Sequence, residues 1–196
     1  RHSSSAASDV YKRQTSYIPT FGSTVTRNAE VCNNSGSAQD FNSEEGVLYA
    51  EISGLSNPVD SPKNITISDG TGSNYVRIEY YQDGRVYGNI YDGTSVAANF
   101  VVNQINFNKI AIQYSSSGSK LYVNGIGVDF ASKVFTSNTL NTIQFSAGNG
   151  VSSPFYGNVK SVAVFKRAMS DGELYLLTVP QYQSYQAMAT ALNYTS

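Results

Sequence analysis

Apolar and polar residues alternate with a period of two over short stretches of the chain, and turn residues separate the stretches. The pattern predicts strands at 16–19, 46–52, 64–68, 75–81, 85–91, 109–114, 120–123, 126–130, 140–146 and 159–165. Asp69-Gly70, Asp83-Gly84, Asp92-Gly93, Asn124-Gly125 and Asn149-Gly150 mark turns where glycine enters positive φ without steric cost. Short strands at regular spacing, with no helix between them, argue for an all-β sandwich or barrel.

One hairpin can be read in register. Val76, Ile78 and Tyr80 alternate with Tyr75, Arg77, Glu79 and Tyr81, and Val86, Gly88 and Ile90 alternate with Arg85, Tyr87, Asn89 and Tyr91. A two-residue Asp83-Gly84 loop would place Val86 and Ile90 on one face with Arg77 and Glu79, which a half-buried sheet disfavours. A three-residue Gln82-Asp83-Gly84 loop pairs Tyr81 with Arg85 and Tyr80 with Val86, giving one apolar and one polar-aromatic face. Gly84 is then the left-handed residue of a type I turn with a bulge.

The pattern changes near the end. Positions 159–165 (Val-Lys-Ser-Val-Ala-Val-Phe) are rich in β-branched residues, and Gly157 just before them suggests a close approach or a turn. Ser170 with Glu173 three residues on reads as a capping box that opens a short helix over 171–178. Pro180 interrupts it. Tyr185, Met188, Ala189 and Leu192 return at helical spacing, so 179–196 reads as a short helical tail.

Lys120-Leu121-Tyr122-Val123-Asn124-Gly125, followed by the run from Gly157 through Arg167 to Leu174, resembles the closing signature of laminin G-like, concanavalin A-like jelly-roll domains. The resemblance implies an antiparallel two-sheet β-sandwich over 15–178. It says little about the ligand, because such folds host many functions. The run from Thr15 to Glu30 is similar to a lead-in segment found before lectin-like domains of bacteriophage tail and tail-fibre-type proteins, and Met188 to Thr195 has the same flavour. These likenesses imply a virion-associated or extracellular module that meets bacterial surface glycans, a surface receptor, or other virion or surface-protein domains.

Composition narrows the chemistry. The run from Ser4 to Gln14 resembles a translated sequencing-library adapter, so 1–14 is set aside as disordered and foreign to the fold. The thirteen Lys and Arg then lose Arg1, Lys12 and Arg13, and the fourteen Asp and Glu lose Asp9, leaving ten against thirteen. That balance gives no electrostatic footprint for nucleic acid. No apolar run is long enough to span a membrane as a helix. The one histidine, His2, lies beside the adapter-like run, so Ser-His-Asp, Cys-His and His-based zinc chemistry lack their key side chain. Cys32 is the single cysteine, which excludes an internal disulfide.

Carboxylate-pair hydrolysis would need closely alternating acids, of the E-x-D-x-x-E kind in laminarinase-type relatives of the fold. Glu44-Glu45 are adjacent, and Asp171 and Glu173 sit at a helix start where they complement the dipole. The expectation is a module without catalysis; a glycosidase built from scattered acids is the alternative enzyme reading. The binding candidates are Tyr75, Arg77, Glu79, Tyr81, Tyr87, Asn89 and Tyr91, whose rings and polar tips suit a sugar or protein surface. An ordinary outer sheet face with cross-strand tyrosine pairs explains the same residues. Asp69, Asn74 and Asp92 are hard-oxygen residues at turns and strand ends and form a candidate calcium set; the alternative is plain turn chemistry.

Overall fold

A computed structural model of the protein describes residues 35–180. Among the described residues, ten strands precede one helix: β1 (Gly46–Gly54), β2 (Lys63–Ser68), β3 (Tyr75–Tyr80), β4 (Arg85–Tyr91), β5 (Ser95–Val101), β6 (Asn108–Tyr114), β7 (Ser119–Val123), β8 (Ile126–Phe130), β9 (Thr142–Gln144), β10 (Gly157–Phe165) and α1 (Asp171–Thr178). They form two five-stranded antiparallel sheets, ordered β10-β1-β6-β7-β8 and β5-β4-β3-β2-β9. This is the jelly-roll sandwich anticipated from the sequence. The adapter-like run, the predicted strand at 16–19 and the helical pattern at 184–192 lie outside the described residues, as do His2 and Cys32. No helix among the described residues is long and apolar enough to cross a membrane.

The core lies between the sheets because each strand sends alternate apolar residues inward. Leu48, Ala50 and Ile52 of β1 meet Ile65, Ile67, Val76, Ile78, Val86 and Ile90 of the facing sheet. Gly88 is the inward residue of β4 at its middle. A Cβ there would stand 2.9 Å from Leu121 Cδ1 and 3.0 Å from Ile112 Cδ1, so close packing of the sheets requires glycine. Gly157 makes the close approach expected of it, since a Cβ would fall 2.2 Å from the Ser53 carbonyl oxygen. A second, smaller cluster lies on the outer face of the β1 sheet, where Leu174 of α1 covers Val47, Tyr49 and Ala111. The Ser170–Glu173 capping box starts α1 as predicted. Arg167, with the backbone and side chain of Ser170, holds the Glu173 carboxyl down at about 2.

Two expectations are corrected. The strand predicted at 140–146 is only Thr142–Gln144, because Leu140 turns into the core and Ser146 starts a loop folded over β2. Strand β5 was not anticipated. Its Ala97-Ala98-Asn99 centre has weak strand propensity, and it forms by pairing with β4 as a sheet edge.

Candidate functional site

The β3–β4 hairpin has the predicted register, with Tyr80 opposite Val86 and Tyr75 opposite Tyr91. Tyr81 N donates to Arg85 O at 2.9 Å, Gly84 N donates to Tyr81 O at 3.1 Å, and Gly84 has φ of 80°. The loop is therefore Gln82-Asp83-Gly84 with a left-handed glycine. Asp83 fastens it further: Arg85 Nη1 and the Tyr87 hydroxyl both donate to Asp83 Oδ2, at 3.0 and 2.8 Å.

This register gathers all seven predicted binding residues on the outer face of the β5-β4-β3-β2-β9 sheet. Tyr75 stacks on Tyr91 with centroids 5.3 Å apart, and Tyr81 meets Tyr87 edge to face at 5.7 Å. Arg77 and Glu79 lie between these tyrosine pairs. The Arg77 guanidinium sits 4.4 Å from the Tyr75 ring centroid, and its Nη2 is 3.4 Å from Glu79 Oε2. The two side chains are only 14% and 13% exposed, so the pair is shielded between half-buried tyrosines. Burial pushes the Glu79 carboxyl up; Arg77 opposes that shift and Asp83 adds to it. Asn89 lies opposite Arg77, and its Oδ1 accepts from Ser95 Oγ at 2.8 Å. Tyr81 is just past the end of β3 and is 36% exposed, at the hairpin rim.

Sequence reasoning missed the wall beside this face. Asn64, Thr66 and Ser68 of β2 lie on the same outer side, with Asn64 opposite Glu79 and Thr66 opposite Arg77. They are buried because the loop after β9 lies over them: Asn64 Nδ2 donates to Ser153 O, Thr66 Oγ1 to Ser146 O, and Ser68 Oγ to Gly148 O, at 3.0, 2.6 and 2.8 Å. At the seam, Asn64 Oδ1 and Arg77 Nε are buried with no hydrogen-bond partner. Native proteins leave few such atoms, and these two are one acceptor and one donor beside the tyrosines. Alternation in 64–68 already placed Asn64 with Thr66 and Ser68; no local signal marked the loop that covers them.

Asp69 and Asn74 meet in the β2–β3 turn. Asp69 Oδ1 accepts from Thr71 N, Thr71 Oγ1 and Gly72 N, and Oδ2 accepts from Asn74 Nδ2 at 2.8 Å. Partial burial raises its carboxyl, but those hydrogen bonds outweigh it and hold the group below the usual range. Asp92, in the β4–β5 turn, is ion-paired to Lys133, which holds its carboxyl low. No cluster of three or more His, Cys, Asp or Glu fit for a metal occurs among the described residues. A calcium ion at Asp69, Asn74 or Asp92 would have to displace these internal donors.

The family model of the concanavalin A-like lectin/glucanases superfamily matches residues 55–174. A search of curated proteins gives no match. Among solved structures, the chain is similar to the CBM40 of the Ruminococcus gnavus IT-sialidase, at 17% identity and a TM-score of 0.62 over 78% of this chain and 96% of that one. The same CBM40 bound to α2,3-sialyllactose gives 17% identity and a TM-score of 0.60 over 76% and 95%. The leech intramolecular trans-sialidase complexed with 2,7-anhydro-Neu5Ac gives 16% and 0.60 over 80% of this chain and 28% of that one. At these identities the likeness is one of fold, and with the match over 55–174 it shows that the chain belongs to the concanavalin A-like lectin/glucanase superfamily.

Proposed function

We propose that this domain is a carbohydrate-binding module without catalysis, and that the glycan lies across the outer face of β3 and β4. The observation that carries this reading is the shielded Arg77–Glu79 pair set between two tyrosine pairs, with Arg77 Nε and Asn64 Oδ1 buried and unpartnered beside it. Tyrosine rings give sugar C–H faces an apolar surface, and their hydroxyls, with Asn89, Glu79 and Arg77, offer donors and acceptors to ring hydroxyls. Arg77 also suits a sugar carboxylate. The one CBM40 of similar fold is bound to α2,3-sialyllactose in one structure and to α2,6-sialyllactose in another, which makes sialylated glycans the first probes to try.

A binding role rather than a hydrolytic one fits the carboxylate inventory. Glu79 is committed to Arg77, and Asp83 to its own turn. The similarity of 15–30 to the lead-in of phage tail-type lectin domains supports placing the module on a virion or another extracellular surface. A purely structural sandwich is the reading to beat, because stacked cross-strand tyrosines also strengthen a sheet. A glycan array with the wild-type domain and Tyr81→Ala decides between them. Binding by the wild type, lost in Tyr81→Ala at an unchanged melting temperature, supports the module. No glycan bound, or binding untouched by the substitution, overturns it.

A further inference from the structure

At the end of the sandwich, a cleft of about 880 Å³ opens where the β1 sheet meets the end of β5. Its lining includes Glu51, Asn106, Phe107, Lys109, Asn124 and Lys160. It shares no residue with the tyrosine face. From these residues we infer a second binding site, for a short anionic saccharide.

The strands build its floor. Val159 and Val162 of β10 both pack against the core, and two residues stand between them where strict alternation allows an odd number. The register against β1 shifts there: Glu51 pairs with Ser161 and Ile52 with Val159, leaving Lys160 as the extra residue of a bulge. The bulge sets the Lys160 ammonium 3.1 Å from Glu51 Oε1 and 4.1 Å from the centroid of the Phe107 ring. Lys160 is 49% exposed, so its charge is held at the wall and still reaches solvent. Lys109 lies opposite Glu51 on β6, and its Nζ donates to Val179 O at 3.3 Å. The cleft therefore carries two ammonium groups against the single carboxylate of Glu51.

The amide wall is fixed before any ligand arrives. Asn108 Nδ2 donates to Asn103 O, Asn106 O and the buried Tyr80 hydroxyl, and Asn108 Oδ1 accepts from Asn124 Nδ2. Asn124 Oδ1 in turn accepts from Lys109 N at 3.0 Å. Gln104 anchors the same segment, through Val59 N to its Oε1 and through its Nε2 to Tyr81 O and Arg85 O. This network positions the loop and leaves the side-chain amide of Asn106 and the Nδ2 of Asn103 without a hydrogen-bond partner among the described residues. Phe107, 38% exposed, brings an aromatic surface to the same wall.

The exposed amides of Asn103 and Asn106, a partly exposed aromatic ring and an excess of ammonium charge match the three chemistries of an acidic sugar: hydroxyls, C–H faces and an anion. The volume lies within the range of small-ligand sites and suits a di- or trisaccharide. The anion's source, carboxylate or sulfate, is the variable the experiment resolves. The site stands or falls apart from the tyrosine face, because no residue is common to both.

The test is a ¹H–¹⁵N titration of the whole chain with trigalacturonate, with its fully methyl-esterified form, and in a separate arm with a sulfated chondroitin disaccharide. Saturable shifts at Asn103, Asn106, Phe107 and Asn124 are expected with at least one of the two anionic sugars. The neutral ester should bind at least about tenfold more weakly than trigalacturonate if the carboxylate is the anion read, and raising salt should weaken the anionic complex. Lys160→Gln and Asn106→Asp should each reduce affinity about tenfold or more, while Tyr81→Ala leaves it unchanged. Both substitutions are at solvent-facing side chains, and the same spectra report whether the fold is kept. Absence of saturable shifts with both anionic sugars, shifts confined to the Tyr75–Tyr91 face, or equal affinity in Lys160→Gln and Asn106→Asp overturns the proposal.

Discussion

The tyrosine face lies on one sheet and the lysine cleft at the end of the sandwich, where the β1 sheet meets the end of β5, and the two are organised in opposite ways. The tyrosine face is a product of strand alternation: its side chains come from every second residue of one hairpin and are packed against one another. The cleft is a product of irregularity, assembled from a bulge in β10, the β5–β6 connection and the β7–β8 turn. On the first, charge is internally matched, since Arg77 faces Glu79. In the second, two lysines stand beside one carboxylate, which pairs with Lys160 while the Lys109 ammonium bonds the Val179 carbonyl. A regular surface offers ring faces and hydroxyl partners; an irregular one can leave charge unbalanced and amides unfilled.

Gln104 is the residue the two regions share indirectly, and replacing it should give the largest effect. It is fully buried, holds the tips of the β3–β4 hairpin through Tyr81 O and Arg85 O, and positions the cleft segment that contains it. Gln104→Leu removes three hydrogen bonds and strands Val59 N–H in the interior, so a loss of about 3 kcal/mol is expected in urea unfolding. A loss under about 1 kcal/mol would show that the two regions are held independently. Next in size is a crossed pair of substitutions. Tyr81→Ala should cost about tenfold or more, roughly 1.4 kcal/mol, in glycan affinity at the tyrosine face and nothing in the cleft, and Lys160→Gln the reverse. Binding isotherms for both variants against both ligands check this, and cross-talk in either direction breaks the separation drawn above.

The same contrast explains what was legible in the sequence. Strict alternation in 75–81 and 85–91, with Asp83-Gly84 between, fixed the loop length, the register and the membership of the tyrosine face. Alternation carries that information because a one-residue slip would invert both faces. The capping box and the helix over 171–178 were equally local and equally readable. The cleft was not, because a bulge at Lys160 is defined only against Glu51, over a hundred positions earlier in the chain, and the broken alternation from Val159 to Val162 does not say which strand it faces. Edge strand β5 escaped for a related reason: its residues form a strand because β4 is already there, not because Ala97 and Ala98 favour one.

Smaller effects separate shielded charge from exposed charge. Burial raises the Glu79 carboxyl in the folded protein, so the folded state holds that proton more tightly than the unfolded chain. The associated stability is present below the unfolded value and is lost as pH rises through the folded one. Glu79→Gln should therefore flatten the fall in melting temperature that accompanies rising pH through the carboxylate range, and a slope identical to wild type would place the titration elsewhere. Asp92 behaves in the opposite sense. Lys133 lowers its carboxyl, so that contribution is present above the unfolded value and is lost as pH falls through the folded one.

The least effect of all is expected from calcium. Asp92 already holds a cation in Lys133, and both oxygens of Asp69 already accept internal donors. An incoming ion would have to break these contacts and find six to eight oxygens where the turn supplies few. Millimolar calcium should therefore leave the melting temperature unchanged and give no heat in calorimetry. Lys133→Ala is the sharper form of the experiment, since it frees the Asp92 carboxylate. If calcium raised the melting temperature of that variant and not of the wild type, lysine would be filling a cation site, and the match of charges seen between Arg77 and Glu79 would extend to the rim of the same sheet.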